Sequence, residues 1–197
     1  AAQLECRKSY HLLMTDGKWN APVNLAPALT PGAKLNNDGT DGPTHVSADG
    51  ASSYTYSAVA PYKDGYSNTL ADVASYYWKN DLRPDLPNRV KPDLSNPAFW
   101  QNLVQYTVGF GVGGTLSSPA DLDRIKTGAL AWPQAVGDTA TAVDDLWHAA
   151  VNSRGEYLSA RDPEDFTQSL TTILADIANR QSSEAGVATA SRSLQAG

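Results

Sequence analysis

A chain of 197 residues can bury the core of one domain and does not demand two. Its formal net charge of −6, with no basic run longer than Arg7-Lys8, argues against nucleic-acid binding by phosphate neutralisation. No apolar run approaches the roughly 18 residues of a membrane helix, so no bilayer span is expected.

The start lacks a basic segment followed by an apolar one, so no signal peptide is expected there. With 15 Gly and 12 Pro and plentiful Asn, Ser, Thr and Tyr, the composition looks more like an exported bacterial surface protein than a cytosolic enzyme. Cys6 is the only cysteine, so it has no intrachain partner. It is either a small buried residue beside the first strand or half of a bridge to sequence outside this chain.

Residues 9–14, Ser9-Tyr10-His11-Leu12-Leu13-Met14, are predicted to form a buried strand that leads into Thr15-Asp16-Gly17. That strand delivers the Asp16 carboxylate to its carboxyl end, the rim where open parallel sheets bind ligands. From residue 18 to about 66 the chain is rich in Gly, Pro, Asn and Ser, without helical period, and reads as an excursion carrying one hairpin near Ser53–Val59. Within it, Asn36-Asn37-Asp38-Gly39-Thr40-Asp41-Gly42 places oxygen side chains at near-alternate positions. Asn36, Asp38 and Asp41 are therefore candidate Ca²⁺ ligands, although the terminal Glu of an EF-hand loop is missing and a solvated turn is the simpler reading.

Helix is predicted from Thr69 to about Asp81, with a Thr69–Asp72 capping box and Leu70, Val73, Ala74, Tyr77 and Trp78 on the inward face. A proline-punctuated loop through Pro97 follows, in which Pro97–Gln101 is read as one helical turn. Val104–Val112, β-branched and aromatic with glycines near its end, is predicted as a second buried strand. Pro119–Ile125 is a short helix. Thr141–Ser153 is a longer one, with Val143, Leu146, Trp147 and Ala150 inward and Gly155 as its C-cap. Glu156–Ala160 is a strand. The last helix starts at Asp162-Pro163-Glu164-Asp165, an N-cap, a first-turn proline and two carboxylates at the positive end of the helix dipole. Its inward stripe is Phe166, Leu170, Ile173, Leu174 and Ile177. Residues 182–197 read as a linker or the first strand towards a further domain.

No nucleophile elbow, phosphate-binding glycine loop or Cys–His pairing is present, and the chain is not expected to be an enzyme. His11, His45 and His148 show no metal-ligand interval and are assigned to core or helix-face positions. Asp121, Asp123, Glu164 and Asp165 are explained by helix starts. The five tryptophans are assigned to the core and to pinning loops rather than to a sugar-binding platform.

Strand and helix alternate, which calls for an α/β fold with a parallel sheet covered by helices on both faces. Here a resemblance becomes specific. Leu12–Gly17, Tyr106–Val112, Leu146–Ala150, Glu156–Ala160 and Asp162–Phe166 resemble the second half of a von Willebrand factor A domain, the first of them its fourth strand with the Thr-Asp-Gly turn of a metal-ion-dependent adhesion site. Cys6–Tyr10, Asp16–Asn20, Asn68–Trp78, Asp81–Asn88 and Asn96–Gln101 narrow it to the PilY family of type IV pilus tip adhesins and assembly factors, over about residues 6–195.

The resemblance implies a partial doubly wound, Rossmann-like, three-layer α/β/α domain, with residues 1–181 as its C-terminal half and residues 18–66 as an insertion. In a sheet of order 3-2-1-4-5-6 this chain supplies strands 4, 5 and 6. Strand 4 then has an open edge, to be filled by a missing N-terminal half on a separate or cleaved chain, or by a symmetry mate. It also implies that Asp16 joins a strand-one Asp-x-Ser-x-Ser motif and a threonine around Mg²⁺ or Ca²⁺ in the intact domain. Ser52-Ser53 and Ser117-Ser118 do not supply that motif, so no metal is expected at Asp16 from this chain alone. The implied function is non-enzymatic adhesion and pilus assembly at an exported, surface-exposed pilus tip, with minor pilins, the pilus machinery and a host or surface ligand as partners. The alternative is a scaffold that caps minor pilins without a ligand of its own.

Overall fold

The computed structural model describes residues 5–18, 31–116 and 119–193. Trp19, Asn20, the first part of the insertion and Ser117-Ser118 lie outside the described residues. In chain order the elements are β1 (Ser9–Thr15), a 3-10 turn (Pro31–Lys34), β2 (Thr44–Val46), β3 (Ser53–Thr55) and α1 (Leu70–Lys79), then β4 (Leu103–Phe110), α2 (Pro119–Lys126), α3 (Ala140–Asn152), β5 (Tyr157–Ala160) and α4 (Pro163–Ser193). The backbone of α4 thus continues as helix past Arg180, through much of the stretch that composition assigns to a linker or strand.

The main sheet is parallel in the order β1-β4-β5, with Ser9 opposite Leu103 and Thr107 opposite Tyr157. β4 is the central strand, and its interior residues are all buried because both faces are covered. Its even positions Val104, Tyr106 and Val108 pack with Ala160 and with Ile173 of α4. Its odd positions face α3, where the Thr107 hydroxyl donates to the carbonyl of Leu146 at 2.9 Å. α1 packs on α3 and touches β4 on that same side. The predicted alternation of strand and helix therefore gives helices on both faces of a parallel sheet.

β1 is not the buried strand that its apolar run suggests. Among the described residues β4 is its sole strand neighbour, and Leu12 and Met14 are 38% and 51% exposed. Cys6 is exposed, against the buried alternative. The hairpin expected in the excursion is β2–β3, three residues a side. Pro97–Gln101 is irregular rather than a helical turn.

A second core forms where the excursion meets α1 and the proline-rich loop. Tyr56, Trp78, Ala98, Phe99 and Trp100 are buried together, with Tyr54 and Tyr62 against them. The Trp100 indole donates to the carbonyl of Trp78 at 2.8 Å, and that of Trp78 to Asn96 Oδ1 at 3.0 Å. The capping box at Thr69–Asp72 forms as predicted. The inward face of α1 does so only in part: Ala74 and Trp78 are buried as expected, together with Ala71, Asp72, Ser75 and Lys79, while Leu70, Val73 and Tyr77 are only half-buried. The helix turns a polar pair inward because the excursion supplies partners for it.

At the end of α3 the left-handed residue is Arg154, φ +65°, not Gly155. The amide of Arg154 bonds the Val151 carbonyl at 3.1 Å and that of Gly155 the Ala150 carbonyl at 2.9 Å, a Schellman pattern. Gly155 is glycine for another reason: a Cβ there would lie 2.0 Å from the Gln105 carbonyl oxygen of β4.

Candidate functional site

Asp16 follows β1 directly and is exposed at the carboxyl rim of the sheet. The Thr15 hydroxyl donates to the Gly17 carbonyl at 2.9 Å, which holds the turn. β4 ends beside it at Phe110, followed by Gly111 at φ +69°, whose amide bonds the Ala160 carbonyl at 2.7 Å. The first turn of α4 closes the rim; there Asp162 Oδ1 accepts the amides of Glu164 and Asp165, both at 2.9 Å. Together Met14, Thr15, Asp16, Phe110, Pro163 and Phe166 line a cavity of about 420 Å³.

A hard divalent cation takes six or more oxygen ligands. Among the described residues that line this cavity, Asp16 is the one carboxylate and Thr15 the one side-chain hydroxyl, and the others are apolar. These residues do not fit the ion by themselves, and further oxygens would have to come from another segment.

The calcium-like run does not converge. Asn36 Oδ1 accepts the amide of Gly39 at 2.7 Å, and Asp41 Oδ1 accepts the amide of Ala58 at 2.7 Å, so both serve the local turn and the hairpin base. Asp38 turns inward instead and is fully buried. There it meets Asp64 and His148, two residues that the sequence pattern did not single out as ligands.

His148 Nε2 lies 3.5 Å from Asp38 Oδ2, and Nδ1 lies 3.5 Å from Asp64 Oδ2. Nε2 is also 2.8 Å from the Tyr62 carbonyl, and Trp132 stacks on the imidazole at 4.3 Å and 14°. Asp38 Oδ1 accepts the amide of Asp64 at 3.2 Å and Oδ2 accepts from Asn152 Nδ2 at 3.0 Å. Asp64 Oδ1 accepts the amide of Tyr66 at 2.7 Å.

Around this centre the polar groups are tied into the backbone. Asp72 accepts the amides of Asn37 and Thr69 at 2.7 and 3.0 Å. Lys79 Nζ donates to the carbonyls of Asn37 and Thr40 at 2.6 and 3.0 Å. Asp145 of α3 accepts the first amides of α1, Leu70 at 2.8 Å and Ala71 at 3.0 Å, and so caps a helix other than its own.

Burial sets the electrostatics. Desolvation pushes the Asp38 carboxyl up to about 7, against the opposing pull of His148. It pushes Asp145 up to about 6, against the pull of its two amide donors. Burial alone would lower His148, but its contact with Asp64 and the charges of Asp38 and Asp64 outweigh it, so the imidazole is raised.

The other histidines are placed apart from this cluster. His11 is exposed beside Gln105, Nδ1 to Oε1 3.3 Å, and His45 stacks on Trp100 at 4.2 Å. The signal that could have exposed the cluster is the inner face of α3, where Asp145, His148 and Asn152 recur at helical spacing and are buried among alanines.

No family model matches the chain, and no solved structure matches it significantly. Three curated relatives do, all described as type IV pilus biogenesis factor PilY1 and all from Pseudomonas aeruginosa. The chain is 38% identical to that of strain PAK over 202 residues, 90% of this chain. It is 37% identical to that of strain PAO1 and 36% to that of strain UCBPP-PA14, over 91% and 90% of this chain. It spans 16% of the length of each. Over nine-tenths of its length the chain is therefore similar to one segment of the PilY1 type IV pilus biogenesis factors.

Proposed function

We propose that this chain is the C-terminal half of a von Willebrand factor A-like domain in an exported, surface-located type IV pilus biogenesis factor, and that it acts without catalysis in adhesion and pilus assembly. The observation that carries the reading is that, among the described residues, β1 pairs with β4 alone and has Asp16 at its carboxyl end. An upstream strand laid along that edge would complete the sheet and bring further oxygen ligands beside Asp16, where Mg²⁺ or Ca²⁺ would mediate contact with a carboxylate of a host or surface ligand. The likeness to PilY1 supports the pilus context. The order β1-β4-β5, all parallel, supports the sheet half.

Asp16→Ala in the intact protein tests it. Attachment to a surface should fall while the number of assembled pili stays normal. Unchanged attachment overturns the adhesive role.

A second reading is favoured by the apolar lining of the rim cavity by Met14, Phe110 and Phe166. There the segment is a scaffold that docks minor pilins, and Phe166→Asp would reduce piliation itself.

A further inference from the structure

We propose that Asp38, Asp64 and His148 form a second, buried metal site, selective for a borderline divalent ion of the Zn²⁺ type, which ties the excursion to α3. It is separate from the rim and does not rest on the adhesion reading.

One ligand atom from each of the three side chains lies within 4.8 Å of the other two. The contacts of 3.5 Å between the imidazole nitrogens and the two carboxylates are long for N–H···O hydrogen bonds, which run about 2.7–3.2 Å. Two ligands on a tetrahedral ion with bonds of about 2.0–2.1 Å sit about 3.3–3.4 Å apart, close to the 3.5 Å between Nδ1 and Asp64 Oδ2.

The surroundings orient each ligand. The Tyr62 carbonyl accepts from Nε2, which leaves Nδ1, facing Asp64, as the ligand atom of the imidazole; Asp38 Oδ2, now 3.5 Å from Nε2, has to swing towards Nδ1 to join it. The Asn152 amide and the Asp64 amide hold the Asp38 carboxylate, and the Tyr66 amide takes Asp64 Oδ1, leaving Oδ2 towards the imidazole. The stacked Trp132 ring fixes the imidazole plane.

Charge points the same way. The side chains of Asp38, Asp64 and His148 are 0%, 6% and 2% exposed, so two carboxylates are removed from water against one imidazole. Neither Lys79 nor Arg154 forms an ion pair with these carboxylates: Lys79 donates to backbone carbonyls and feels Asp38 only through space, and Arg154 lies against the faces of Tyr62 and Trp78. Buried carboxylates call for a cation. An imidazole in the set disfavours Mg²⁺ and Ca²⁺, which prefer oxygen, and favours Zn²⁺. Three protein ligands leave a fourth position for water, and Asp64, the least buried of the three, gives the side of entry.

The test uses the purified protein stripped with EDTA and titrated with Zn²⁺ and with Co²⁺. We expect one Zn²⁺ equivalent that Asp64→Asn loses, a rise in Tm on adding Zn²⁺ to the unmodified protein that the variant lacks, and visible d–d absorption of four-coordinate Co²⁺. Equal Zn²⁺ content in the unmodified protein and Asp64→Asn overturns the proposal. If Asp64→Asn does not fold, the unmodified protein decides: no d–d spectrum with Co²⁺, together with ¹⁵N resonances showing a proton on both nitrogens of His148 in the presence of Zn²⁺, overturns it equally.

Discussion

The guanidinium carbon of Arg154 lies 3.7 Å from the ring centroid of Trp78, and the ring of Tyr62 covers its other face at 3.5 Å. One planar cation thus joins the end of α3, the face of α1 and the excursion. Lysine carries the charge without the plane, so it cannot stack on both rings. Arg154→Lys should lower the unfolding free energy by about 1–3 kcal/mol, the range of a desolvated cation–π contact with its hydrogen bonds. Urea unfolding followed by tryptophan fluorescence measures it; an unchanged midpoint would count against the sandwich.

Gly155 presses on the backbone of β4. With a Cβ placed 2.0 Å from the Gln105 carbonyl oxygen, Gly155→Ala must push α3 away from the strand. The expected loss is about 2–3 kcal/mol or more, as for an overpacked interior, and amide exchange should quicken in β4 and β5.

Asp72 closes the capping box and also takes the amide of Asn37, so its removal strikes the helix and the excursion together. Asp72→Ala should cost about 2–4 kcal/mol, from a lost cap plus buried donors left unmade. Limited proteolysis should then cut within residues 31–66 at protease levels that leave the unmodified protein whole. Cleavage elsewhere alone would contradict the coupling.

Stability should fall as pH rises from about 4 to about 6. The folded Asp145 carboxyl is raised to about 6 from an ordinary value near 3.8, chiefly by desolvation. Its contribution is fully present below the unfolded value and is lost as pH climbs through the folded one. Raised Asp38 and His148 act in the same direction. In EDTA-treated protein, unfolding midpoints at pH 4.5 and 7 should differ less in Asp145→Asn than in the unmodified chain.

The layered sheet was legible from the chain because its signals are local. The apolar run before Asp16, the β-branched run through Val108 and the Asp162-Pro163 start each mark an element without help from elsewhere. The α1 cap at Thr69–Asp72 likewise needs four residues. What could not be read is whatever joins distant segments. Asp38 and His148 are 110 positions apart, and Asp64-Gly65 looks like any turn until Tyr62, Trp132 and α3 close around it. Ala74 and Trp78 of the inward face of α1 were read correctly, but its polar members were missed for the same cause: hydrophobic periodicity assumes an oily partner, whereas Asp72 and Lys79 meet backbone groups of the excursion. Gly155 looked like a helix terminator because its true neighbour, Gln105, is 50 positions away.

The open side of β1 has a directional consequence. Among the described residues no strand lies along the side of β1 away from β4; a neighbour could run there either way, but only a parallel one brings its C-terminal end alongside Asp16. The side chains following such a strand would land next to that carboxylate, whereas an antiparallel guest would deliver its leading residues there. On the proposed reading, whichever polypeptide completes that border would also add to the pocket at its tip, so that shape completion and ligand chemistry at this rim would arrive in one event.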